Sequence, residues 1–244
     1  MRRIVNEYLP WLAGINRDDV EMLSRIKARG ESHPIRCAKQ GTKAELLIYE
    51  QIGLDWWTGE GFTPARLQDE INRVRPFNEL VVKINSPGGD VFDGMAIFNV
   101  LRSIKETVSV EIEGLAASAA SYIAQAASRG QLKIHETAQA MVHNAMGGLM
   151  IFDNADAIER DSTALVALLR KIDQQIADVY AARSGRPAND WAKLMNAETF
   201  LTGKQAVAEK FADVLIPLEG GGKKNQAWKN RIDQMMLDTG RRIS

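Results

Sequence analysis

Ser118, His143 and Glu198 are the residues whose types and surroundings point to chemistry in this chain. Ser118 lies in VSVEIEGLAASAASYIAQAA, residues 108–127, where β-branched alternation (Val108, Val110, Ile112) gives way to an alanine-rich run. That change of pattern predicts a strand that breaks at Gly114 and turns into a helix over 116–127. A hydroxyl at the first turn of a helix lies beside unpaired backbone N–H groups and the positive end of the helix dipole. Those N–H groups can hold a developing oxyanion, so a serine there is placed to attack an acyl carbon. Taken alone, the same stretch also reads as small residues that let a helix pack closely.

His143 follows the apolar pair Met141-Val142 and precedes Asn144 and a glycine-rich loop, which places it at the end of a core strand. An imidazole is the usual base for a serine proton, although a lone histidine in such a place is more often structural. Of the other two histidines, His33 falls in a polar arm and His135 beside Glu136 at a turn. Glu198 directly precedes Thr199-Phe200-Leu201, where a loop enters the core; a carboxylate there either orients the imidazole or is a surface charge at a helix end. Gly88-Gly89, between a strand and a helix, allows positive φ and close approach of a ligand to the backbone. The turn is not a phosphate loop, because it has neither the Lys-Ser/Thr ending nor GxGxxG spacing.

The elements that must carry these residues follow in order. Residues 1–43 read as an arm, with a short amphipathic helix over 18–29 and a polar linker over 30–42. Strands are expected at 45–52, 80–84, 108–113, 131–134, 140–142 and 213–216. Helices are expected over 63–74 (Thr63 as N-cap, Pro64 at the first position), from Val91 to Leu101, and over 190–196 and 204–211. Trp56 and Trp57 sit in a turn. An apolar stripe from Ile158 to Tyr180 predicts one long helix over 154–182, too long for a core helix and suited to projecting and pairing with another subunit. Strands alternating with helices on one core give an α/β fold. The chain divides into an arm (1–43), a core domain (44–218) and a tail (219–244) whose residues from Lys223 on carry a net charge of +4, six basic against two acidic.

Composition narrows the class. With 31 basic and 31 acidic residues the net charge is zero, and nothing global points to nucleic acid or membrane. The single cysteine, Cys37, excludes an internal disulfide and a thiolate metal cluster, which suits a cytoplasmic setting. No apolar run approaches a membrane span, and the N-terminus lacks the uninterrupted apolar stretch of a signal peptide. No cofactor or metal is expected.

Four segments, INSPGGDVFDG, GLAASAAS, AMVHNAMGG and AETFLTGKQAVAEKFAD, occur in this order and together resemble the proteolytic subunit of the Clp protease, and more closely the Clp-related head maturation proteases of tailed phages. The resemblance covers roughly residues 44–217. It implies a crotonase-like spiral of ββα units with a projecting handle helix, a ring-shaped homo-oligomer, and serine endopeptidase activity on phage head proteins (scaffold, portal or capsid), with self-cleavage of the arm or tail as a further expectation. It implies Ser118 as nucleophile, His143 as base and Glu198 as acid, with the Gly89 and Ala119 amides as the oxyanion hole and Gly88 shaping the turn. Two departures stand out: Glu198 where the Clp subunit has Asp, and Ala145 where a proline is common. Ser121, one helical turn after Ser118, is the decoy nucleophile. The rival readings are a Ser-Lys protease of the signal-peptide-peptidase type, using Lys171, Lys193 or Lys204, and an inactive assembly scaffold. A crotonase-type acyl-CoA enzyme fits less well, since it does not require this serine, histidine and acid in order.

Overall fold

The computed structural model describes residues 37–54, 61–148 and 153–218. The expected helix over 18–29, the Trp56-Trp57 turn and the basic tail lie outside the described residues. Among those described, eight strands form one mixed sheet flanked by helices. Its main path runs β1 (Cys37–Gln40), β2 (Lys43–Ile48), β3 (Glu79–Ser86), β4 (Thr107–Ala117), β5 (Leu132–His135) and β8 (Val214–Ile216). β1 is antiparallel to β2, and the others on this path run parallel. β6 (Gln139–Val142) branches from the far half of β4, and β7 (Thr199–Thr202) pairs antiparallel with β6.

Period-two alternation builds the core. Leu80, Val82 and Ile84 of β3, Val110 and Ile112 of β4, and Leu132 and Ile134 of β5 are buried on one face. Their neighbours Lys83, Glu111, Lys133 and His135 stay half-buried on the other. Removing a side chain such as Ile112 from water contributes about 1.5–3 kcal/mol. α1 (Pro64–Val74) starts as its sequence says: the Thr63 side chain accepts from the Arg66 N–H, proline follows at the first turn, and Leu67, Ile71 and Val74 are buried. α2 (Val91–Ser103) buries Gly94, Ile97 and Leu101, with Val91, Met95 and Phe98 packed at the margin of the core.

Two sequence expectations are corrected. The strand through Val110 does not break at Gly114. It continues to Ala117, and the helix after it, α3, spans only Ala119–Ala124. β4 changes partners part-way: Val110–Ile112 pair with β5, then residues 115–117 pair with β6. The register against β3 slips between Ile84 and Ser86, which is a bulge, and Gly114 sits in it. Asn85 seals the bulge by accepting the Leu115 N–H at 3.1 Å through its side-chain oxygen. Glycine in a strand marks such a close approach as readily as an end. The second correction is at the start: Cys37–Gln40, placed by sequence in a linker, forms an edge strand with Cys37 buried. Only one of its four side chains faces the core, so it has no alternation to read.

The expected long helix is present as α4 (Ala155–Ser184), with the Asn154 side chain capping its start and Gly185, at φ 72°, its end. Its last turns bury Ile172, Ile176 and Tyr180, while Ile158, Val166 and Leu168 are 40–47% exposed on the outer part. α5 (Ala188–Asn196) follows, seating the buried Trp191 with its indole N–H on Ser184 Oγ at 2.8 Å. α6 (Gly203–Ala208) starts from a capping box of Thr202 and Gln205. The architecture is the α/β spiral with a handle helix that the motifs implied.

A Cβ at Gly114 would lie 2.6 Å from Asn85 Oδ1. Gly114→Val is therefore expected to push the Asn85 side chain off the Leu115 N–H and destabilise by about 0.5–1.5 kcal/mol, the worth of one hydrogen bond. Gly148→Ala, with open space around it, should stay within about 0.5 kcal/mol. Equilibrium urea unfolding of the two variants beside the parent measures both.

Candidate functional site

Ser118 is the hinge between β4 and α3, the N-cap of a helix whose side chain does no capping. Its backbone sits at φ 53°, ψ −126°, outside the regions that side-chain-bearing residues favour. Such a conformation costs about 1–3 kcal/mol and persists only where neighbours enforce it. They do so here: the Ser118 N–H is fixed on the Met141 carbonyl of β6 at 3.0 Å, and its own carbonyl accepts from Ser121 N–H at 2.9 Å. The result turns the Ser118 hydroxyl away from the helix and onto His143, whose Nε2 lies 2.7 Å from Oγ. His143 is 8% exposed and stands one residue past the end of β6. The serine and the histidine thus ride on adjacent strands of one ladder.

The Gly88-Gly89 turn closes over this pair. Gly88 and Gly89 adopt φ of 90° and 148°. A Cβ on Gly88 would fall 2.5 Å from the Ala117 carbonyl and 2.7 Å from Ser118 Cβ, so the turn packs backbone to backbone on the serine corner. The Gly88 N–H is spent on Ser86 Oγ at 3.2 Å, and the Gly88 carbonyl on the Ile52 N–H at 2.8 Å. The amides of Gly89 and Ala119, by contrast, make no hydrogen bond among the described residues, and both residues line the cleft with Ser118 and His143. The far wall of that cleft is apolar, built from Leu165, Leu169 and Ile172 of α4 with Tyr122 of α3.

Glu198 stands apart. It has φ 46° and an exposed side chain that, among the described residues, makes no hydrogen bond or ion pair. Its backbone position is nevertheless close to the histidine: β6 and β7 pair Val142 with Thr199, so the next step of the ladder sets His143 opposite Glu198. Asn144, beside the histidine, donates from its side chain to Asn196 Oδ1 at 2.5 Å, two residues before Glu198. The structure thus brings Ser118, His143, Gly88, Gly89 and Ala119 together, and brings the Glu198 backbone but not its carboxylate.

The remaining candidates are engaged elsewhere. Ser121 is fully buried, with its hydroxyl on the Ser118 carbonyl at 2.6 Å and on the Tyr180 hydroxyl at 2.7 Å. Burial pushes the Tyr180 phenol up, so it remains protonated and hydrogen-bonding. His135 binds Glu111 at 2.9 Å, and His33 lies outside the described residues. Lys193 pairs with Asp190 and Lys204 with Glu136, and among the described residues no lysine lines the Ser118 cleft. Among the described residues, Glu111, Glu113 and His135 form one group whose ligand atoms lie close enough for a metal, but none of them lines that cleft. Sequence reasoning missed Asp173, whose carboxylate accepts the Ala145 N–H at 2.7 Å. It sits within the helical stripe of α4 in no motif, so only the fold relates it to His143.

The sequence profile of the Clp protease family matches residues 71–218, more than half of the chain. The chain belongs to the Clp protease family. It is 28% identical over 141 residues to the ATP-dependent Clp protease proteolytic subunit 2 of Parasynechococcus marenigrum, an alignment that spans 58% of this chain and 68% of that protein. Its fold is similar to that of a ClpP1 point mutant from Listeria monocytogenes, with a TM-score of 0.58 at 21% identity over 72% of this chain and 92% of the other. Membership sets the coarse class, a ClpP-family serine peptidase, and the likeness of structures speaks to the fold.

The Gly88 contacts generate a prediction. Gly88→Ala must push the Ser118 corner, and a displacement approaching 1 Å at a reacting group costs on the order of 10²-fold. Its kcat on a small activated ester is expected to fall by about that factor. Ser121→Ala should cost about 1 kcal/mol of stability through its lost hydrogen bonds while retaining turnover. Steady-state kinetics beside urea unfolding separates the two.

Proposed function

We propose that this chain is a serine endopeptidase in which Ser118 is the nucleophile, His143 the general base and Glu198 the acid. The observation that carries the reading is the 2.7 Å contact between Ser118 Oγ and His143 Nε2 at a strained helix N-cap. His143 Nε2 takes the Ser118 proton as Oγ attacks the scissile carbonyl. The negative charge that develops on the carbonyl oxygen is held by the Gly89 and Ala119 N–H groups. His143 then passes its proton to the leaving amine, and water, activated in turn by His143, frees the acyl group from Ser118.

Glu198 would serve by rotating its side chain across the β6–β7 ladder to the Nδ1 side of His143. Its backbone faces the histidine already, and the longer glutamate side chain gives the reach. In that position it stabilises the imidazolium and fixes the tautomer.

The substrates proposed are proteins of an assembling phage head, a reading supported by the four ordered motifs. A homo-oligomeric ring, working in the host cytoplasm or inside the procapsid, fits the exposed Ile158 and Val166 on α4, apolar side chains that a second subunit would cover. No helix among the described residues is long and apolar enough to cross a membrane. The exposed carboxylate of Glu198 favours one second reading, an inactive ring that scaffolds assembly.

Co-expression with the head proteins of its own phage tests the proposal. Cleaved head proteins are expected with the parent and intact ones with Ser118→Ala; intact proteins in both cases would leave the scaffold. Glu198→Ala is expected to lower kcat by up to about 10⁴-fold, the loss seen when a triad acid is altered, and unchanged turnover would remove Glu198 from the mechanism.

A further inference from the structure

We propose that Asp173 is a positioning residue for His143: its carboxylate, carried on α4, clamps the Ala145 N–H and so sets the backbone from which the imidazole reaches Ser118. The proposal rests on the reading of Ser118 and His143 as the reactive pair.

His143 needs such a support. It lies beyond the last ladder pair of β6, Val142 with Thr199. Among the described residues, its ring makes one hydrogen bond, to Ser118 Oγ. The direction of the ring is therefore governed by the backbone of residues 143–145, and a shift of a few tenths of an ångström there moves Nε2 off the hydroxyl. Among the described residues, two side-chain ties hold that backbone. Asn144 is tied to Asn196, and the Ala145 N–H donates to Asp173 Oδ1 at 2.7 Å. After Ala145 the restraint falls away, with Met146 77% exposed and Gly147 and Gly148 following.

The second tie is the firmer one. An amide donating to a charged carboxylate makes a stronger bond than one between neutral groups. Asp173 itself cannot wander, because Ile172 and Ile176 on either side of it are buried and lock the rotation of α4. Asn144, in contrast, reaches an exposed asparagine at the end of α5. Asp173 makes no hydrogen bond or ion pair other than this one among the described residues, so no other interaction there accounts for its placement.

The test uses the full chain with Asp173→Ala, Asp173→Asn and Asp173→Glu. Three quantities are read: hydrogen exchange at the Ala145 amide, the ring NMR signal of His143 (one of only three histidines), and kcat and KM on a small activated ester. Asp173→Ala is expected to speed exchange at Ala145, shift the His143 signal and lower kcat by about tenfold or more with KM little changed, as for loss of positioning. Asp173→Asn, whose amide oxygen accepts the same N–H, should recover most of the rate, and Asp173→Glu, with the acceptor displaced, should not. Unchanged exchange and an unchanged His143 signal in Asp173→Ala would overturn the proposal, as would equal losses in Asp173→Asn and Asp173→Ala. Should Asp173→Ala fail to fold, the contrast between Asp173→Asn and Asp173→Glu decides. If the parent shows no turnover, it is the peptidase reading that fails, and exchange with the His143 signal still decides the role of Asp173.

Discussion

The close packing of the Gly88 turn on the Ala117–Ala119 corner is the constraint on which the site depends. Backbone atoms meet there with no room for a methyl group, and that contact keeps Ser118 at a positive φ it would not otherwise hold. Three consequences follow from the one arrangement. The serine side chain is turned out of the helix toward His143, the Ala119 N–H is left without an intrahelical partner, and the Gly89 N–H is brought into the same cleft. The proposed nucleophile, its proposed base and the two amides proposed to hold the oxyanion come from the meeting of two turns, both at the carboxyl ends of neighbouring parallel strands, where ligands of open α/β sheets usually bind.

The long strand β4 makes that meeting possible. Its first half is held between β3 and β5, and its second half, beyond the bulge at Gly114, between β3 and β6. The change of partner delivers Ser118 beside the end of β6, where His143 emerges. Had the strand stopped at Gly114, the serine would have lost its bond to the Met141 carbonyl and its place beside the histidine. α4 then supplies three things: the apolar wall of the cleft, the Tyr180 hydroxyl that occupies Ser121, and the Asp173 carboxylate on the histidine loop.

Much of this was legible in the sequence, because local chemistry and fold agree there. The alternation of β3 to β5, the Thr63-Pro64 helix start and the Gly88-Gly89 turn follow from propensity and period. Ser118 and His143 stood out because each lies where one pattern ends and another begins. What could not be read has physical reasons. A glycine in a strand signals a bulge as well as an end, so the reach of β4 was understated. β1 shows a single buried residue, too little for a pattern. The Asp173 clamp joins residues 28 apart in sequence, and capping motifs record side chains that bond to backbone N–H groups only a few residues away. Ala145 was noticed only as a departure from proline; in the structure its N–H is the one that Asp173 takes.

Covalent labelling by a fluorophosphonate, read by intact mass, tests the central claim most directly, since such a reagent reports an activated serine without needing the natural substrate. The account predicts a single adduct on the parent, none on Ser118→Ala, and strongly slowed labelling on His143→Ala. No adduct on folded, assembled protein, or an adduct that persists in Ser118→Ala, would contradict it.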